Sequence, residues 1–299
     1  MLSHVGELAA LITAFCWTVT ALSFEAAGRR IGSLAVNLLR LLLAFVWLTL
    51  YNAIARDLPL PTDASGHAWL WLAASGVVGF LIGDLALFRA FVLIGSRLSM
   101  LLMALVPPMT ALIGWFFLGE GLGAFDLLGM TLTLAGVCWV VAERAPNGAN
   151  GPTRRPWGGI ALGFVGALGQ AVGLVFSKVG MGSYSPFAAT QIRVLTGVVG
   201  FSLLFAFIGW WPKVIAGLKE ARAMRLVTLG SIFGPFLGVS FSLLAVQRTQ
   251  AGVAATIMSI VPVLIIPPSV WIFKERVSPR AAFGAAVAVA GVALLFWPK

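Results

Sequence analysis

From Leu8 to Ala27 the chain runs twenty residues with a single charge, Glu25. Runs like it recur to the end of the sequence. About 20 consecutive apolar residues are what a helix needs to cross the hydrocarbon core of a bilayer. The composition agrees, with 60 % hydrophobic and 10 % charged residues, where soluble domains are about 25 % charged. A mean hydropathy of +1.00 points the same way. The reading is an all-α integral membrane protein. The first run is long enough to stay as a span and has almost no basic region before it, so no cleaved signal peptide is expected.

The apolar periodicity predicts ten helices, near residues 6–27, 33–55, 66–91, 95–118, 123–142, 157–179, 186–210, 222–247, 251–273 and 278–297. Charges and turn formers separate them. The longest separator, 143–156, is rich in Gly, Pro, Asn and Arg and reads as a linker. It divides the chain into 1–142 and 157–299, five helices each. The net charge of +10 does not point to nucleic acid, because the basic residues are scattered over many short loops. Basic loops beside apolar helices are a topology signal. Loops on the amino-terminal side hold few, such as Arg56, Lys178 and Arg248. The other side holds many, including Arg29, Arg30, Arg154, Arg155, Lys213, Lys219, Arg222 and Arg280. The bias puts that second side in the cytoplasm and both termini outside. Cys16 and Cys138 fall inside spans and suggest neither a disulfide nor a metal site, and His4 and His67 sit near helix starts as solvated side chains.

The halves repeat each other. At an offset of 155, Met103, Val106, Pro107 and Glu120 match Met258, Val261, Pro262 and Glu275. Gly79 and Gly83 match Gly234 and Gly238 in the same register. At an offset of 153, Arg40 matches Arg193 and Ala14 matches Ala167. An odd number of spans per repeat forces the second copy into the membrane from the opposite side. Such inverted repeats are a common plan of secondary transporters, with the substrate near the midplane between halves. Pro107 and Pro262 each remove a backbone donor, so each is expected to kink its helix and act as a pivot beside a central cavity.

The paired proline helices, each ending in a Glu and followed by a Gly-bearing helix (LLGMTLTLAGVCWVV and AFGAAVAVAGVALLF), resemble the drug/metabolite transporter superfamily. The closest likeness is to its ten-helix members with two EamA-type repeats. The resemblance implies a cavity lined by helices 1, 3, 4, 6, 8 and 9, gates in helices 2 and 7, and peripheral helices 5 and 10. It implies cytoplasmic termini, where the charge bias gives the reverse. Bacterial amino acid and metabolite exporters, the aromatic amino acid exporter among them, are the members it looks most like, and they imply a bacterial inner membrane.

Ionisable groups at membrane depth are costly and mark function by default. Arg40 and Asp84 sit at similar depth on antiparallel helices, and would form either a gate-side ion pair or a static one. Arg193 holds the symmetric place, but position 239, matching Asp84, is Val. Arg193 is then free for a substrate carboxylate or a lipid phosphate, or is structural. Lys178 reads as an interfacial side chain, and Glu120 and Glu275 as interface anchors or partners for loop amides and cations. Milder cavity candidates are Trp17 and Thr18 on helix 1, Phe80 and Phe88 beside Asp84 on helix 3, and Met103 on helix 4. Gln170 on helix 6, Ser240 on helix 8, and Thr256 and Ser259 on helix 9 complete them. A few polar groups among aromatic and Met side chains suit amphipathic organic solutes.

The expected function is a secondary transporter that exports small amphipathic metabolites, amino acids first, by alternating access. A lipid or lipid-linked-intermediate translocase is the alternative. An intramembrane enzyme would need a nucleophile with its base or a metal cluster, and no HExxH-type motif exists. No metal or cofactor is expected. The expected partners are a small-molecule substrate and membrane lipid, with no nucleic acid. Both repeats lie in one chain, which points to a monomer.

Overall fold

A computed structural model describes residues 4–87, 89, 90, 93, 102–143, 156–264, 266–268 and 278–295, and among these no strand occurs. The helices are α1 (Val5–Ile31), α2 (Ser33–Arg56), α3 (Gly66–Leu87), α4 (Val106–Leu118), α5 (Ala124–Glu143), α6 (Pro156–Met181) and α7 (Pro186–Phe207). They continue with the short α8 (Trp211–Leu218), then α9 (Ala221–Arg248), α10 (Ala251–Met258), α11 (Val261–Leu264) and α12 (Pro279–Leu295). Six of them, α1, α2, α3, α6, α7 and α9, are long and apolar enough to cross a membrane. Three shorter apolar helices, α4, the stretch Ala124–Val140 and α12, accompany them. The expected fourth and ninth spans run into 94–101 and 269–277, outside the described residues. The sequence did not anticipate α8, which occupies a stretch read as a separator.

Prominent packing pairs include α1 with α9, α6 with α3, α3 with α7, α2 with α7, α4 with α10, and α5 with α12. Each pair joins a helix before the linker to one after it. Lipid offers no hydrophobic drive for such pairing, so small residues that let backbones approach supply the contact. At the α6–α3 crossing a Cβ on Gly169 would stand 3.0 Å from the Gly83 Cα, and one on Gly173 3.2 Å from the Gly79 Cα. At the α5–α12 crossing a Cβ on Gly136 would stand 2.4 Å from the Ala288 amide nitrogen. The small-residue runs at 166–173 and 284–291 are therefore packing seams.

Two local irregularities repeat at the 155-residue offset. A π-helical turn interrupts α3 at Val77–Gly83, and another interrupts α9 at Ile232–Gly238. A two-residue turn at 104–105 precedes α4, and one at 259–260 separates α10 from α11. Pro107 and Pro262 each stand second in the helix that follows. The expected kink is thus a break just upstream of each proline. Proline suits the first turn of a helix, where its missing N–H would have had no partner.

Candidate functional site

The polar centre of the described structure lies where α2, α3, α6 and α7 meet. The Arg193 backbone abuts Gly76, where a Cβ would stand 2.8 Å from the Arg193 carbonyl oxygen. Gly76 is ten residues past the start of α3 at Gly66, about 15 Å along the helix. That is about half the depth of a ~30 Å hydrocarbon core.

Asp84, 7 % exposed, organises this centre. Arg40 from α2 pairs with its carboxylate and lies over the Phe24 ring, 5.5 Å from the centroid. Gln170 Nε2 donates to Asp84 Oδ1 at 2.9 Å and is 3.2 Å from the Gly79 carbonyl oxygen. The latter is one of the carbonyls inside the π turn. Such turns recur at functional sites, and here the Gly79 carbonyl also accepts the Asp84 N–H. Arg193, 5 % exposed, lies over the Phe80 ring at 4.9 Å. A Cβ on Gly79 would stand 3.3 Å from Arg193 Nη2, so the absent side chain leaves the guanidinium its room. Arg193 is near enough to Asp84 for their charges to attract. Its Nε has no hydrogen-bond partner among the described residues. One carboxylate, paired with Arg40, thus also feels the charge of a second buried arginine from the other half.

The structure brings Arg40, Asp84, Phe80, Gln170 and Arg193 together, although the sequence placed Arg193 toward the opposite face, away from Asp84. Trp17 lies against the second π turn: a Cβ on Gly238 would stand 2.9 Å from its Nε1. Ser240 is fully buried, and its Oγ has no partner among the described residues. Thr18, Thr256 and Ser259 spend their hydroxyl protons on nearby carbonyls, those of Ala14, Gly252 and Thr256, at 2.9, 2.8 and 2.7 Å. They remain as acceptors only. Met103 lies on the helical residues just before the 104–105 break. Phe88 and Glu275 lie outside the described residues, as do the side chains of Pro262 and Glu25. Sequence reasoning missed Phe24, which nothing in its neighbourhood marks as the partner of a cation.

A second polar group sits at the end of the molecule that holds the start of α1. Lys178 Nζ is 2.5 Å from Glu120 Oε1 and donates to the Thr249 carbonyl oxygen at 2.6 Å. Glu120 Oε2 accepts the Ala251 N–H at 2.8 Å and so caps α10. Thr249 Oγ1 reaches Glu7 Oε1 at 3.4 Å. Lys178 is therefore ion-paired across the halves, not an interfacial side chain as the sequence suggested. Glu120 does serve a cation, and the amide it accepts belongs to the first residue of α10, where the sequence suggested a loop amide. Nearby, Tyr184 donates to Asp63 Oδ1 at 2.7 Å, and Arg56 Nη2 is 2.5 Å from Asp63 Oδ2. The Tyr184 hydrogen bond holds the Asp63 carboxyl below its ordinary range, and burial pushes the Tyr184 phenol up to about 12. For the lowered acid, the stabilisation is present above its unfolded pKa and fades as pH falls through the folded one. For the raised phenol it is present below its unfolded pKa and fades as pH rises through about 12. Neither change falls near neutrality. A lateral groove of about 380 Å³ between α4 and α5, lined by Pro108, Leu112, Trp115, Leu127 and Leu134, is apolar apart from Glu120 and Thr131.

An all-helical membrane protein whose charged centre is assembled from both halves has the build of a small-molecule carrier. The EamA-like transporter family matches residues 4–142 and again 157–297, and the chain belongs to that family. It is therefore an integral membrane protein of the drug/metabolite transporter superfamily, whose members move small molecules. Protein LicB of Haemophilus influenzae is 29 % identical over 139 residues, a match that spans 46 % of each chain. The chain thus aligns with about half the length of that curated relative. One protein of known crystal structure superposes over 97 % of this chain and 96 % of its own, with a TM-score of 0.74 at 17 % identity. That likeness speaks to the fold.

Proposed function

We propose that the protein is a secondary transporter that exports small amphipathic metabolites, with amino acids, aromatic ones included, as the first substrates to examine. It works by alternating access: two inverted five-helix repeats, 1–142 and 157–299, rock about a midplane site in a bacterial inner membrane. The observation that carries the reading is the Arg40–Asp84–Gln170–Arg193 centre. Charges at membrane depth belong to substrate or ion pathways, and these come from both halves. Phe80 and Phe24 give the centre apolar surface beside its charges, as an amphipathic solute requires.

The test is uptake and efflux in proteoliposomes with labelled phenylalanine, tryptophan, leucine and glutamate. Saturable exchange of at least one, lost with Asp84→Asn in protein that stays monodisperse, is the expected result. If no amino acid exchanges, the substrate assignment fails.

A further inference from the structure

We infer that Arg193 and Trp17 form a binding site for one carboxylate, filled by the solute where the first repeat uses its own Asp84. The inference rests on the transporter reading above and names the chemical group that the site recognises.

The argument comes from comparing the two copies of one local structure. In the first, the π turn Val77–Gly83 is closed by Asp84. In the second, Ile232–Gly238 is closed by Val239. The acid of the first copy is held by two donors, the Arg40 guanidinium and the Gln170 amide. At the 153-residue offset their counterparts are Arg193 and Trp17. The geometry follows the alignment. A Cβ on Gly83 would stand 3.4 Å from Gln170 Nε2, and one on Gly238 would stand 2.9 Å from Trp17 Nε1. The second copy therefore keeps an indole N–H at its π turn and an arginine in the register of Arg40, and lacks the acid. Val239 is buried in the same cluster as Phe80, the ring under Arg193, and Val194, the residue after it. Arg193 Nε and the hydroxyl of Ser240, next to Val239, have no partner among the described residues.

Charge leads to the same place. Arg40 and Arg193 against Asp84 leave one positive charge in excess within a buried centre. Uncompensated charge at this depth is costly, and a single carboxylate cancels it. A guanidinium also matches the planar carboxylate in shape. A lipid phosphodiester carries the same single charge, so the experiment must separate the two sources.

Purified protein in zwitterionic detergent would be titrated with N-acetyl-L-phenylalanine and with N-acetyl-L-phenylalaninamide, which differ only in the carboxylate. Thermal stability is the readout. The acid should raise Tm and bind about tenfold or more tightly than the amide, as expected for a hydrogen bond to a charged group. Arg193→Gln and Trp17→Phe should weaken that preference, and Arg193→Lys should keep part of it. Val239→Asp is the decisive variant. It restores an acid in place, so it should raise Tm without ligand and abolish the response to carboxylate. It also serves if Arg193→Gln fails to fold. An equal response to acid and amide, no response in the unmodified protein, or a carboxylate response untouched by Val239→Asp would each overturn the inference. So would a stabilisation that depends on Arg193 but is given only by nanodiscs of phosphatidylglycerol. Failure of this site and failure of the transport reading are distinguishable. Amino acid exchange with a KM unchanged in Arg193→Gln and Val239→Asp leaves the function standing and removes the site. Arg193-dependent carboxylate binding without amino acid exchange keeps the site and removes the amino acids.

Discussion

Asp84 is the residue on which the centre depends. It receives Arg40 and Gln170 directly and faces the charge of Arg193. Taking one partner from a buried pair leaves an uncompensated charge and costs about 3–5 kcal/mol, while replacing both with apolar groups is often close to neutral. Asp84→Leu should therefore lower the melting temperature strongly, and the double change Arg40→Leu with Asp84→Leu should recover much of the loss. Thermal unfolding in detergent checks this. A double variant no more stable than Asp84→Leu would show that Asp84 is needed chiefly by Arg193 and Gln170. Arg40, Asp84, Gln170 and Arg193 could be picked out in the sequence because polar residues are conspicuous in apolar helices. Their grouping could be read only for Arg40 and Asp84, which lie on consecutive helices. Glu120 beside Lys178 could not, because that contact depends on how distant helices cross, and Phe24 under Arg40 could not, because an apolar ring on a span carries no mark of the cation above it. Nor could the spent hydroxyls of Thr18 and Thr256, since a threonine in a span reads the same whether it serves its own helix or a ligand.

At the scale of the element, the repeat was visible through its prolines and its single offset, but the form of the irregularity was not. Both π turns fall in apolar stretches with no periodic signal of their own; Pro235 lies inside the second, while the first holds no proline. Likewise the prolines suggested bent helices, where the structure has breaks at 104–105 and 259–260 with each proline starting the next segment. A proline there keeps the break from healing into a continuous helix, because it has no N–H to donate to the carbonyl four residues back. Pro107→Ala and Pro262→Ala should change the melting temperature little, since no intrahelical hydrogen bond depends on either residue in the first turn. If the breaks are pivots, the same variants should slow exchange in proteoliposomes several-fold. Loss of folded protein in step with loss of exchange would make the prolines structural alone.

Over the whole molecule, the halves are tied most visibly at the end where α1 begins. Lys178 joins Glu120, Ala251 caps onto Glu120, Thr249 meets Glu7, and Tyr184 holds Asp63. Every one of these links crosses from one half to the other. A rocking carrier must open such links at one end in one of its states, which makes Glu120–Lys178 a latch in the transport reading. Thr13 lies below it on α1, fully buried, with its hydroxyl on the Ala9 carbonyl at 2.9 Å. A Thr13→Cys probe, in protein with Cys16 and Cys138 replaced by alanine, reports whether water reaches that depth. With the latch intact, a membrane-impermeant maleimide should label the probe slowly. Lys178→Gln removes the cation that spans Glu120 and the Thr249 carbonyl, so labelling from that side should accelerate while the melting temperature falls only modestly. Unchanged labelling would mean that the ties are fixed struts and that the moving end lies at the opposite face. The charges of the latch could be read in the sequence, but their role could not: Lys178 lies on α6 and Glu120 just past the end of α4, and only the pairing of the two halves brings them together.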